Sequence, residues 1–177
     1  MKIGRKDCQD LERALSLEWL EQNGRGGFAS GTVAGAHTRR YHALLLTARK
    51  PPSERFVLVN HLEEWLAIDA HVIPLSTNLY PGAVHPAGYE NCVEFSIDPW
   101  PIWTFACNGM RLQREILLIQ GRDLVIVRWT LLGRKNQRAL LRVRPKLTGR
   151  DYHGTHHENE SLSTEASIGD GLVAWQL

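Results

Sequence analysis

Arg39, Arg40, Tyr41 and His42 form an unbroken polar run that leads directly into Leu44, Leu45 and Leu46. Two guanidiniums, a phenol and an imidazole can donate to hydroxyl groups, and the imidazole can carry a proton near neutral pH. On an extended backbone Arg39 and Tyr41 share one face, and Arg40 and His42 share the other. Groups of this kind are costly to desolvate without partners. They therefore sit either at a solvated strand end or in a polar site held on a rigid element. The three leucines make both faces of the following segment apolar, which predicts a strand buried on both sides or lying in the middle of a sandwich.

Two further segments carry chemistry-bearing side chains. L-S-T-N-L-Y-P-G-A-V-H-P-A-G-Y, residues 75–89, holds Asn78, Tyr80, His85 and Tyr89 among the turn signals Pro81-Gly82, His85-Pro86 and Gly88, and reads as a polar-aromatic loop. Its aromatics argue against disorder. G-R-D-Y-H-G-T-H-H-E, residues 149–158, reads as another polar loop, with Arg150, Asp151 and His153. His153 and His157 have the spacing of one helical turn, but Gly154 lies between them and there is no H-E-x-x-H pattern, so zinc is disfavoured. The neighbours Glu63 and Glu64 point to opposite faces of a strand and cannot share one catalytic site; they read as solvated. The glycines between Asn23 and Gly35 lack a G-K-[ST] ending and a strand-to-helix context. They predict a tight loop with positive φ and close backbone approach, and no nucleotide or other cofactor is implied.

The elements that must position these groups are strands. Asn108-Gly109 between two alternating runs is a strong hairpin signal and pairs Phe105 with Leu112 and Trp103 with Arg114. One face then carries Trp103, Phe105, Cys107, Met110 and Leu112 toward a core, capped by Arg114. The other, with Ile102, Thr104, Ala106, Arg111, Gln113 and Glu115, faces water. Further strands are expected at 56–60, 124–132, 140–147 and 171–177, while 7–20 fits a short helix behind Asp7 or Asp10 or the start of a strand. Alternating strands with few helical signals predict an all-β fold, an antiparallel β-sandwich. The apolar strand at the end suggests a fold that is incomplete within residues 1–177.

The chain has 177 residues, a length suited to one domain with a sizeable core, and a net charge of +2. So weak a charge, with no basic run interleaved with aromatics, argues against nucleic acid and anionic membranes as partners. The first ten residues are charged and unlike a signal peptide, and no apolar run is long enough to span a bilayer. Cys8, Cys92 and Cys107 are scattered and odd in number, as expected in a reducing cytoplasm.

The segments E-W-L-E-Q-N-G-R-G-G-F-A-S-G-T-V-A-G-A-H-T-R-R-Y-H-A-L-L-L, L-S-T-N-L-Y-P-G-A-V-H-P-A-G-Y and R-D-Y-H, spread from about Leu17 to about Glu160, resemble the N-terminal domain of bacterial and archaeal glycogen debranching enzymes. The resemblance implies a large sandwich of the galactose-mutarotase-like "supersandwich" type. It also implies a partner (α/α) toroid that carries amylo-α-1,6-glucosidase catalysis, and an α-glucan, glycogen or a maltooligosaccharide, as ligand. His37, Ala43, Leu79 and Ala87 depart from the family's usual Asn, Gly, Arg and Gln. On this reading Arg39, Arg40, Tyr41, His42, Tyr80, His85, Tyr89, Arg150, Asp151 and His153 gather at one end of the sandwich and hold glucan, with arginines and histidines on hydroxyls and rings on sugar faces. Some of them only brace loops, for instance Asp151 with Arg150 or Arg39.

The first expectation is thus a glucan-binding accessory domain, non-catalytic in isolation. A stand-alone sugar mutarotase or epimerase, with His42 or His85 as acid and Glu94 or Asp151 as base, is the alternative by fold analogy. A module for assembly with a separate catalytic subunit is a third.

Overall fold

The computed structural model describes residues 2–133, 138–155, 163 and 165–176. Among them the strands are β1 (Lys2–Gly4), β2 (Glu18–Gln22), β3 (Phe28–Thr32), β4 (Ala43–Lys50), β5 (Ser53–Ile68), β6 (His71–Pro74), β7 (Thr77–Tyr80), β8 (Ala83–Ala87), β9 (Cys92–Ser96), β10 (Ile102–Cys107), β11 (Met110–Leu118), β12 (Val125–Leu132), β13 (Ala139–Asp151), β14 (Ala166–Gly169) and β15 (Leu172–Trp175). One sheet runs β1-β9-β10-β11-β12, and a second runs β13-β5-β4-β3-β2 with β6 paired to β5. All the pairings are antiparallel. The two sheets pack into the sandwich the alternation predicts. The stretch that could be helix or strand is both: α1 (Arg5–Cys8) and α2 (Leu11–Ser16) precede β2, and the Asp10 carboxylate caps α2 by accepting from the Arg13 N–H.

The Asn108-Gly109 turn takes positive φ at both residues and sets the expected register, Phe105 opposite Leu112 and Trp103 opposite Arg114. Trp103, Phe105, Cys107, Met110, Leu112 and Arg114 are all buried. The opposite face is not wholly wet, because Thr104 and Glu115 are buried as well. Glu115 accepts from both the Arg128 guanidinium on β12 and the Trp100 indole, partners that lie outside the hairpin and so outside its periodicity. These bonds hold the Glu115 carboxyl below its usual range.

Trp103 joins the layers. Its ring meets Trp19 of β2 edge-on at 5.3 Å and Phe95 of β9 at 4.8 Å, and its indole N–H donates to the Val33 carbonyl at 2.9 Å. Leu44 and Leu46 of β4 are buried, as the aliphatic run predicts.

Residues 75–89 form the β7/β8 hairpin and a 3-10 turn, Gly88–Asn91, rather than an irregular loop. The Pro81-Gly82 turn signal is real; the strands on either side are too short for an alternation to show.

The glycine-rich segment is a tight loop, with positive φ at Gly24, Gly26 and Gly35. Its anchor is Asn23, which is fully buried. The Asn23 carbonyl oxygen accepts from the N–H groups of Arg25 and Gly27, and its amide donates to the Arg122 carbonyl and the Asp123 carboxylate. A Cβ at Gly27 would stand 2.6 Å from that amide, so Gly27 must lack one. Asn23→Ala removes an acceptor from two loop N–H groups and is expected to cost about 2 kcal/mol, read from the urea midpoint. A loss below about 0.5 kcal/mol would show that the loop is held by something else.

Candidate functional site

The connection from β3 to β4 is folded by its own polar atoms. His42 N–H donates to the Arg39 carbonyl at 3.1 Å, and Thr38 N–H reaches His42 Nδ1 at 3.2 Å. His42 is buried, with Nε2 3.5 Å from Glu18 Oε1, and Arg39 Nε lies 2.5 Å from the same oxygen. Arg39 and His42 therefore anchor the loop on β2.

Arg40 and Tyr41 instead meet the end of β13. Arg40 Nη1 donates to the His153 carbonyl at 3.1 Å, and Tyr41 Oη lies 3.3 Å from His153 Nδ1. The Tyr41 and Tyr152 rings are 5.5 Å apart, and Tyr152 and His153 are 3.9 Å apart. The Arg55 guanidinium sits 5.5 Å over the Tyr152 ring. Arg150 donates to the carbonyls of Arg40 and Gly154, and Asp151 accepts from the His153 N–H. These two residues brace the cluster through backbone atoms; the anticipated ion pair between Asp151 and Arg150 or Arg39 is not among the salt bridges of the described residues. A cleft of about 270 Å³ opens beside Tyr41, bounded by Trp19, Phe28 and Arg39.

A line of imidazoles leads from this rim across the sheet. His37 lies 5.6 Å from His42 on one side and 5.6 Å from His61 on the other, and its Nδ1 is 3.3 Å from Asn60 Oδ1. Burial, with the neighbouring His61 and His42, pushes the His37 pKa down to about 3. Burial lowers His42 and His61 too. All three are neutral at physiological pH. His61 Nε2 is buried without a hydrogen-bond partner among the described residues. His37 and His61 help line a cleft of about 280 Å³ with Glu63, Asn78, Tyr80 and Lys146.

Glu63 and Glu64 point to opposite faces of β5, but neither is solvated: Glu64 is fully buried and Glu63 is 7% exposed. Glu64 faces the sandwich interior, 2.6 Å from Arg114 Nη1 and 2.7 Å from the Trp129 indole N–H. Glu63 faces outward and accepts from Asn78, Arg144 and Lys146. The expectation that both are solvated fails because Glu64 is enclosed by Arg114 and Trp129 within the sandwich, and Glu63 is covered by the side chains of Asn78, Arg144 and Lys146 on the outer face.

Of the three segments expected to meet, 39–42 and 150–153 are in direct contact. Tyr80 stands at the neighbouring cleft with His37. His85 is exposed on β8. Tyr89 sits on the 3-10 turn, where its N–H donates to Thr77 Oγ1 and its phenol approaches Glu90; burial and the Glu90 charge raise the phenol's pKa. Of the residues named for an epimerase, Glu94 pairs with Lys2 at 3.0 Å, His42 with Glu18, Asp151 accepts from the His153 N–H, and His85 is exposed on β8. Sequence reasoning missed Tyr152, His37 and His61 as members of the site. Tyr152 lies between the polar residues Asp151 and His153, whose types dominate the motif, and His61 alternates with Glu63 on one strand face, a signal visible once a long strand is assumed.

The fold and rim define a class: an antiparallel β-sandwich domain whose polar residues gather around aromatic rings at one sheet end. Among the described residues no group of His, Cys, Asp or Glu is arranged to hold a metal ion; His156 and His157 lie outside them. No helix among the described residues is long and apolar enough to cross a membrane. Residues 17–177 match the family described as glycogen debranching enzyme N terminal, and the chain belongs to that family. Neither the curated proteins nor the solved structures yield a match.

Proposed function

We propose that this chain is an α-glucan-binding accessory domain of a cytoplasmic glycogen debranching enzyme, with glycosidic cleavage carried out by a helical toroid domain. The observation that carries the reading is the ring cluster of Tyr41, Tyr152 and His153 at the sheet end, edged by Arg40 and beside an open cleft. Sugar rings present apolar C–H faces that settle on aromatic surfaces, while equatorial hydroxyls accept from guanidinium N–H groups. Arg150 and Asp151 set the loop geometry, and Tyr41, with 36% exposure, supplies the accessible ring. Family membership supports the choice of glucan over other sugars.

A non-catalytic isolated domain is in keeping with the placement of its buried pair of neighbouring carboxylates. Glycoside hydrolysis needs two carboxyl groups facing one cleft at roughly 5–10 Å. The adjacent pair Glu63 and Glu64 faces opposite sides of β5, and Glu64 is closed off by Arg114 and Trp129.

Isothermal titration of the chain with maltohexaose is expected to give saturable binding, and Tyr41→Ala to weaken it by roughly 10-fold, the effect of losing one stacked ring. Unchanged affinity in Tyr41→Ala would remove the rim as the site. Release of reducing sugar from an α-1,6-branched dextrin would contradict the non-catalytic assignment.

A further inference from the structure

We propose that the groove along the outer face of β5 and β13 binds a phosphate monoester carried on a sugar. Arg142, Arg144 and Lys146 alternate along β13, so all three side chains leave the same face of the sheet. Their register partners on β5 are Trp65, Glu63 and His61. Leu141, the residue before Arg142, packs against the core, which places the alternating cations on the opposite, outer face.

Two clefts follow one another along this strand pair. One, of about 280 Å³, contains Lys146, Glu63 and Tyr80; the other, of about 420 Å³, contains Trp65, Arg142 and Arg144. Glu63 lies 3.3 Å from Arg144 and 3.2 Å from Lys146 and is the carboxylate that pairs with these cations among the described residues. One carboxylate against three cations leaves the groove positive. Alternate residues of a strand are about 7 Å apart, close enough for one anion to be shared by Arg142, which Glu63 does not pair, and Arg144.

These cations keep their charged ends accessible, the Arg144 side chain 67% exposed and that of Lys146 40%, while lining open clefts walled on one side by aromatic rings. The Arg144 guanidinium lies 5.7 Å from the Trp65 ring centre. Paired guanidinium forks match the several oxygens of a phosphate dianion, donating in parallel where a neutral hydroxyl accepts singly. The Trp65 ring, in the same cleft as Arg142 and Arg144, suits the sugar that carries it, and Tyr80 and Asn78 extend the groove in the neighbouring cleft. The positive excess has no use for an unmodified glucan. The phosphate-gripping residues differ from the rim rings, so this site does not depend on glucan binding at Tyr41.

Titrations of the full chain at low salt with glucose 1-phosphate, glucose and inorganic phosphate test the proposal. Glucose 1-phosphate is expected to bind roughly 5–10-fold tighter than either of the others, and Arg142→Gln to lose most of that advantage. Arg142 is exposed and is not a partner of Glu63, so its replacement leaves the ion-pair network of β5 in place. Arg144→Gln serves as the second variant, and Tyr41→Ala is expected to leave phosphate-ester binding unchanged. A phosphorylated maltodextrin, run in parallel, distinguishes the source: tighter binding than the free ester assigns the groove to phosphate on glucan, weaker binding to a free sugar phosphate. Glucose binding as well as its phosphate would overturn the anionic part, and equal binding of inorganic phosphate would overturn the sugar part. Unaltered affinity in both arginine variants would overturn the site itself.

Discussion

Glu64→Ala is expected to destabilise the fold by about 3–5 kcal/mol, measured by urea unfolding against the parent chain. The Glu64 carboxylate is fully buried between the sheets, with Arg114 Nη1 and the Trp129 indole as donors. Arg114 is itself buried, its guanidinium 4.2 Å from the Trp103 ring centre and 5.5 Å from that of Phe105. Removing the carboxylate leaves a guanidinium with no anion in a region that water cannot readily refill. The penalty arises mainly from that stranded charge, since the desolvation cost of the intact pair offsets much of its attraction. Replacing both partners by apolar residues, Glu64→Leu with Arg114→Met, should therefore recover most of the loss. A single replacement costing less than about 1 kcal/mol would mean that the cavity beside Arg114, itself lined by polar groups, solvates the cation.

The second large effect is on pH dependence. His37, His42 and His61 all have folded-state pKa values below the ordinary histidine value, His37 down to about 3. The folded protein holds them neutral while the unfolded chain protonates them near pH 6.5, so the unfolded state binds more protons as the pH falls. Stability is complete above pH ~6.5 and is lost progressively toward pH 3. His37 alone contributes a slope of about 1.4 kcal/mol per pH unit once the unfolded histidine is charged. The groups facing the imidazole line are Glu18, Arg39, Arg150, Glu63, Glu64 and Lys146; the carboxylates oppose the downward shifts of His42 and His61, and burial outweighs them. Urea midpoints between pH 7.5 and 5.5 should fall for the parent chain and fall by roughly one proton's worth less for His37→Asn. Parallel slopes in the two proteins would contradict the assignment of His37 as a buried neutral group.

Much of the scaffold was legible from local pattern. The Asn108-Gly109 turn demands positive φ at two successive residues, and only one pairing register follows from it. Asn23 and its glycines form a loop because an amide at that position satisfies N–H groups two and four residues ahead. The meeting of Arg40 and Tyr41 with His153 was anticipated as a gathering of polar segments, although the contacts span more than 100 residues of chain. The β7/β8 hairpin and the burial of Glu63 and Glu64 were not anticipated. The hairpin strands are only four and five residues long, too short for alternation to show, and for the glutamates alternation states which residues share a face but is silent on what covers that face.

By itself, then, the amino-acid order determined the longer strands, the register of the Asn108-Gly109 hairpin, its apolar face and the family to which residues 17–177 belong. Only the tertiary structure decided that Tyr152 joins Tyr41, that His37 bridges two other imidazoles, and that Arg142, Arg144 and Lys146 line one groove with Trp65. Backbone periodicity acts over a few residues and is written in neighbouring side chains. Contacts between sheet ends depend on how distant strands are brought into register, and that is settled by the packing of the whole sandwich.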